Sequence, residues 1–261
     1  MASRDKILRF YKGTEGEEVS IRLADLAEQV QKSQKFRISP FLDPYGQEIA
    51  ETVAANYDGI HVDFSGGYPG AERQQAMLIH DNFGGNPSFD IKAVRAVWNA
   101  DYYRITHRDV LGALIGLGLE RGSIGDILLS SGEAKILVGN KAEELILAEC
   151  VKIGAASVQC SEDDISNIQP REERTKEISA TVASLRVDAI AAAGFGFSRS
   201  RAAADIAAEK VKLNWQTVKN SSQQVKEGDI LSMRGRGRLE IAEVRGRTKK
   251  GRTGVLLKRF F

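Results

Sequence analysis

The stretch GFGFSRSRAAADIAAEKVKLN, residues 194–214, decides how the chain is read. It reads as the close of one helix, a glycine-phenylalanine loop, a second, alanine-rich helix and a short strand flanked by lysines. Ser198 is placed to cap the second helix. Arg199 and Arg201 then fall in its first turn, where the helix dipole disfavours a cation unless an anion sits beside it. Free N–H groups at a helix start favour phosphate, and guanidinium groups add bidentate contacts to it. The plain alternative for Arg201 is a helical pair with Asp205, four residues on. Arg199 has no acidic residue at that spacing.

Basic residues continue downstream. Lys210, Lys212 and Lys219 surround the strand, and MRGRGRLE sets Arg234, Arg236 and Arg238 at alternate positions. In extended chain these three share one face. Edge strands carry such charge as a defence against pairing, but three arginines in one row exceed that need.

The formal net charge of +2 conceals a division. Residues 171–261 hold 20 Lys+Arg against 10 Asp+Glu, and the preceding 170 residues hold 17 against 25. A basic end on an acidic body points to an anionic partner for one part only. With 261 residues and 42% apolar side chains, the chain can bury two or three cores. Cys150 and Cys160 are too few for a disulfide framework or a zinc site and read as core residues of a reducing compartment. His61 and His80 have no metal-ligand spacing with any partner. The start MASRDKILRF lacks the apolar core of a signal peptide, and the longest apolar run, 110–119, is about half a membrane span. A cytoplasmic protein without metal, cofactor or membrane contact is expected.

Along the chain, residues 5–57 read as helices, with Leu23, Leu26, Ala27 and Val30 on one face and Ile49, Val53 and Tyr57 on another. FSGGYPGAERQ, 64–74, is a structured loop. A change of style follows. A strand at 91–98, a helix at 106–120 opened by a Thr106–Asp109 capping box, a hairpin of 126–130 with 134–139, a helix at 141–154 ending in glycine and a strand at 156–160 give β-α-β-β-α-β. That is the split, ferredoxin-like order of many RNA-binding modules, without the paired aromatics that stack bases on such sheets. SEDDISNIQPREERTKE, 161–177, broken by Pro170, reads as a linker. A helix at 182–194 closed by Gly194, a second at 198–211 with Ala202, Ala203, Ile206 and Ala207 inward, and strands at 212–215, 229–235, 238–245 and 254–260 complete the chain. Phe195 and Phe197 are expected to pack inward between the helices. The expected class is α+β: a helical N-terminal region (1–75), a ferredoxin/RRM-like middle domain (76–165) and a small C-terminal domain (178–261).

The run RVDAIAAAGFGFSRSRAAADIAAEKVKLNWQTVKNSSQQVKEGDILSMRGRGRL, 186–239, resembles the S-four (S4) RNA-binding domain. Its signposts are Arg186 with Asp188, SRSRA, VKLN, the serines at 221–222 and GDIL. Val187 stands where leucine is common, and Asn214-Trp215 where Asn-Gly is common, which alters a turn. FLDPYGQEIA, GGYPGAER and HRDVLGALIGLGLERGSIGDIL extend the likeness, over about residues 40–258, to the YlmH family of bacterial RNA-binding proteins. The resemblance implies binding to structured RNA of the large ribosomal subunit, with peptidyl-tRNA as a further contact, in rescue of stalled subunits and, more loosely, in cell division. It adds Arg186, Ser200 and Asn214 to the candidate RNA contacts already named. Arg73, His107 and Arg108 are secondary candidates. A monomer acting on the ribosome is expected.

Enzymatic readings find less support. The kinase loop that begins His-Arg-Asp needs an asparagine five residues after its aspartate, where Leu114 stands. A methyltransferase appended to an S4 domain needs a glycine-rich cofactor loop, which DFSGGYPGAE, 63–72, imitates only in part because Pro69 interrupts it and no parallel-sheet pattern follows. A pseudouridine synthase needs a larger catalytic domain. No catalytic residue is assigned.

Overall fold

Leu23, Ala27 and Val30 form the buried face of an amphipathic helix, α2 (Glu17–Ser33), which packs beside α1 (Ser3–Tyr11). The computed structural model in which this is seen describes residues 3–169, 174–249 and 251–260. Gln34, in the left-handed region at φ 52°, ends α2. Asp43 caps α3 (Pro44–Ala54) by accepting from the Gly46 N–H at 2.9 Å, with Pro44 in the first helical position. Ile49, Ala50 and Val53 complete the core with Leu78.

The segment expected to be wholly helical also contains a strand, β1 (Phe36–Leu42). Its β-branched and aromatic residues are interrupted by Pro40, which sits where the pairing register shifts. With β2 (Ile60–Ser65) and β3 (Gln74–His80) it makes an antiparallel sheet in the order β1-β3-β2. β3 crosses the step at 75/76; its polar first residues, Gln74 and Gln75, disguise a strand that is buried from Gln75 onward.

The middle region folds as its pattern predicts. β4 (Lys92–Val97), α4 (His107–Gly116), β5 (Ile124–Ser130), β6 (Glu133–Val138) and α5 (Asn140–Glu149) are followed by a small hairpin, β7 (Lys152–Ile153) with β8 (Ala156–Ser157), and by β9 (Gln159–Asp163). The sheet order β5-β6-β4-β9, antiparallel throughout, is the split arrangement. Thr106 and Asp109 form the expected capping box. α5 stops five residues before Gly154, which instead turns the β7–β8 hairpin. Val110, Leu114 and Ile146 cover one face of the sheet through Val94, Ile127 and Ile136.

These elements make one compact unit, Met1–Arg171; a second comprises Glu172–Phe261. Pro170, on which the linker was centred, lies outside the described residues. The second unit opens with β10 (Thr175–Val182), hidden in the sequence by its charged start but alternating Ile178, Ala180 and Val182 toward the core. α6 (Val187–Phe195) and α7 (Arg199–Ala207) follow, then β11 (Val211–Leu213), β12 (Gln216–Thr217), β13 (Ile230–Met233), β14 (Gly237–Arg247) and β15 (Thr253–Phe260). The sheet order is β10-β15-β14-β13-β11-β12. α6 starts five residues later than expected, because Val182 belongs to β10. It ends at Gly196, φ 76°, not at Gly194. Gly194 serves packing: a Cβ there would lie 2.2 Å from Leu239 Cδ2. Ala202 and Ile206 are buried as expected, but Ala207 is exposed and Asp205 takes a buried place.

Gly194→Ala should therefore overpack the α6–β14 contact and destabilise the second unit by about 1–3 kcal/mol. Urea denaturation of the variant, followed by circular dichroism, measures this; an unchanged midpoint would show that Leu239 yields without cost.

Candidate nucleic-acid interface

Ser198 accepts the Arg201 N–H at 3.2 Å and so starts α7, and its hydroxyl lies 2.9 Å from that of Ser200. That cap sets Arg199 and Arg201 at the helix mouth. Neither is without a partner. Arg199 Nη2 donates to Asp188 Oδ2 at 2.7 Å, an aspartate on α6 that helix spacing within α7 could not reveal. Arg186, the residue before α6, donates to the same carboxylate from Nε and Nη2 at 3.2 and 3.3 Å. A second cluster repeats the arrangement: Arg201 Nε and Lys210 Nζ reach the two oxygens of Asp205 at 3.0 and 3.2 Å.

Each cluster places one buried carboxylate under two cations, leaving one net positive charge. Asp188 and Asp205 are 5% and 7% exposed, whereas the Arg199 and Arg201 side chains are 49% and 60% exposed. Burial pushes the Asp188 carboxyl up, but the hydrogen bonds from Arg199 and Arg186 outweigh it and hold the group below the usual carboxylate range. Hydrogen bonds from Arg201 and Lys210 lower Asp205 likewise. The carboxylates stay ionised and fix the inner edges of the guanidinium groups, while the outer edges remain open to an anion.

Arg234, Arg236 and Arg238 do not line a strand face. Met233 pairs with Gly237, so Arg234 and Arg236 sit in the β13–β14 turn and only Arg238 is in a strand. The glycines between them favour the turn over extension. The Arg234 N–H donates to Lys210 O at 3.0 Å, tying this turn to the end of the helix pair. Arg236 lies over the Phe197 ring at 5.3 Å, Phe197 stacks on buried Phe195 at 6.1 Å, and Arg259 lies over Phe195 at 5.4 Å. Arg238 and Lys258 approach the Phe260 ring at 5.6 and 5.4 Å. The sequence reading missed Lys258 and Arg259, whose side chains meet the motif only through strand pairing.

Lys212 is exposed on β11. Lys219 lines a cavity of about 350 Å³ with Asn214, Asn220 and Gln223. Asn214 is committed to the fold, donating to Asp229 Oδ1 at 3.0 Å and accepting from the Ile230 N–H at 2.9 Å. In the first unit Arg73 also faces inward. It donates to the carbonyls of Ile124, Phe41 and Arg121, and burial together with the charge of Arg121 lowers its pKa to about 10. His107 and Arg108 open α4; partial burial and Arg121 push the His107 imidazole down, leaving it neutral at neutral pH. The loop that imitates a cofactor site is a packing piece, since Tyr68 OH and the Glu72 and Arg73 N–H groups all donate to Asp126. Among the described residues, no three His, Cys, Asp or Glu side chains gather as for a metal ion, and no helix is long and apolar enough to cross a membrane.

A helix pair holding paired arginines against an antiparallel sheet defines an S4-type RNA-binding domain, and residues 185–231 match the model of the S4 domain. Residues 15–83 match "YlmH, N-terminal", and residues 86–167 match "Putative RNA-binding domain in YlmH". The chain is 33% identical over 231 residues to the "Ribosome-associated protein quality control protein P2" of Bacillus subtilis, covering 88% of this chain and 90% of that one. It is also similar to a solved structure, the "Cell division protein ylmH from Streptococcus pneumoniae", at 26% identity and a TM-score of 0.51, over 59% of this chain and 95% of that one. The chain belongs to the YlmH family.

The folded Asp188 titrates below its unfolded value of about 3.9, so its pairing stabilises the fold above that pH and is lost as pH falls through the lowered folded value. Asp188→Asn should cost on the order of 2 kcal/mol at neutral pH and flatten the acid limb of the stability profile. Melting temperatures of both proteins between pH 2 and 7 test this; parallel profiles would remove Asp188 as the titrating partner.

Proposed function

We propose that this protein binds structured RNA of the large ribosomal subunit through the mouth of α7, with peptidyl-tRNA as a further contact, in rescue or quality control of stalled ribosomes. The observation that carries the reading is the pair of shared-carboxylate clusters. Four cations from four places in the chain, Arg186, Arg199, Arg201 and Lys210, are oriented by two buried aspartates with their outer faces open. Such a surface reads phosphate spacing and RNA shape more than base sequence. The name of the Bacillus subtilis relative supports the ribosomal setting. Lys212 and the β13–β14 arginines extend the basic surface. In this reading the protein is a cytoplasmic monomer with no catalytic step, and RNA is its partner and not its substrate.

The double variant Arg199→Ala, Arg201→Ala should lose roughly 1 kcal/mol or more of binding per arginine. Its slope of log affinity against log salt should fall by about 0.7–0.9 for each phosphate contact removed. Each aspartate keeps its other cation, so both buried charges stay paired and stability should fall by only about 1 kcal/mol for each hydrogen bond removed. Sedimentation with large subunits across a salt series, beside thermal melts, measures both; wild-type affinity in the double variant would overturn the assignment.

A further inference from the structure

The sheet of the middle region has the strand order of modules that bind RNA on their open sheet face. Here that face is closed in part. Ala93 and Leu137 are buried with Phe41 of β1 and with Ile168, and Tyr68 packs against the same cluster. The longer side chains of these strands are paired, Arg95 with Glu133 at 2.7 Å and Lys135 with Asp163 at 3.3 Å. The opposite face lies under α4 and α5. Exposed aromatic rings in this region are found on a rim.

The β4–α4 connection offers one. Trp98 and Ile105 pack partly into the helix-side core and pin its two ends. Between them the Asp101 N–H donates to Asn99 Oδ1 at 2.9 Å and the Tyr103 N–H to Asn99 O at 3.2 Å, which holds the loop in one turn. That turn presents adjacent rings to solvent: Tyr102 is 80% exposed and Tyr103 is 40% exposed. Arg104 and Arg108 are exposed beside them. Two acids lie nearby, Asp101 and Asp109; Asp109 is held by Thr106 and ionised, its carboxyl lowered by those hydrogen bonds and by the charge of Arg108, so Arg104 is the less opposed of the two cations. A single exposed apolar residue is ordinary. Two neighbouring rings on an anchored loop, followed by two arginines, match a stacking platform for single-stranded nucleic acid, where bases lie on aromatic faces and cations follow the phosphates.

We propose that residues 99–108 bind unpaired nucleotides of RNA, with Tyr102 and Tyr103 stacking on bases and Arg104 and Arg108 meeting the adjoining phosphates. The proposal rests on the RNA-binding reading but uses residues outside the second unit. Its test uses the full chain and two probes, an unstructured oligouridylate and a stable RNA hairpin. Tyr102→Ala with Tyr103→Ala should weaken oligouridylate binding at least about fivefold for each base that loses its stack, and Tyr102→Phe with Tyr103→Phe should retain it. Hairpin binding should follow Arg199 and Arg201 instead. Four results would overturn the proposal: no oligouridylate binding by the wild-type chain, no effect of the alanines in the Arg199→Ala, Arg201→Ala background, equal loss with phenylalanine, or equal loss on both probes. The absence of an effect would leave the rings to a protein partner. A failure of the second-unit reading would show separately, as hairpin binding that ignores Arg199 and Arg201.

Discussion

The carboxylate of Asp188 is the constraint on which the second unit depends. It is buried at the start of α6, where an unpaired charge would cost several kcal/mol. Two guanidinium groups prevent that, one from just before α6 and one from the mouth of α7. The bond from Arg199 therefore fixes how the two helices meet, and Gly194 allows Leu239 of β14 to close beneath them. The same bond decides what the surface can do. A free arginine on a helix end must lose side-chain freedom when it meets a phosphate; one already held along its inner edge loses less. Asp205 gives Arg201 and Lys210 the same support. Half of the motif's charge is neutralised, and what remains is fixed in place.

Arg73 shows the opposite use of the same side chain. Its guanidinium ends on carbonyl oxygens of Phe41, Arg121 and Ile124, while its own N–H and that of Glu72 meet Asp126. Burial lowers its pKa only to about 10, so it remains charged at neutral pH. Its Nε and Nη2 donors are taken by protein carbonyls. This joint binds the three-stranded sheet to the four-stranded one and brings Phe41 and Tyr68 against Leu137. Burial of the Ala93 and Leu137 part of that sheet face gives a physical reason for the missing stacking aromatics there: a surface buried in protein is selected for packing.

Local pattern was legible in the sequence; meetings between distant segments were not. The middle region could be read because its amphipathic helices, its capping box and its Gly132 hairpin are all short-range signals. Ser198 as a cap and the Arg201–Asp205 pair were readable for the same reason. The Arg199–Asp188 bond was not, because its residues lie eleven apart and meet only when α6 and α7 pack. Arg73 stood in a conspicuous motif, yet nothing local showed that it turns inward. β10 was masked by charge at its start, and β1 by Pro40. The row of arginines at 234–238 misled because alternation suggests a strand, whereas two glycines among three arginines favour a turn.

The β11–β12 turn shows how the fold keeps a shape when its expected residue is absent. Asn214 and Trp215 have φ values of 46° and 64°, so both central residues of this two-residue hairpin are left-handed. Glycine suits the second position, and a bulky side chain there costs roughly 1–2 kcal/mol. The hydrogen bonds around Asn214 offset that cost. Its backbone N–H donates to Ile230 O, its side-chain oxygen accepts from the Ile230 N–H, and its side-chain amide donates to Asp229, which also accepts from the Lys226 N–H. The turn is thus determined from the neighbouring strand instead of from its own second residue. That matters to the interface because the register of β11 against β13, Lys212 opposite Ser232, follows from it. A shift by one residue would move Lys212 to the buried face and bring Val211 and Leu213 to solvent. Asn214, a candidate RNA contact, thus also holds the strand that carries Lys212.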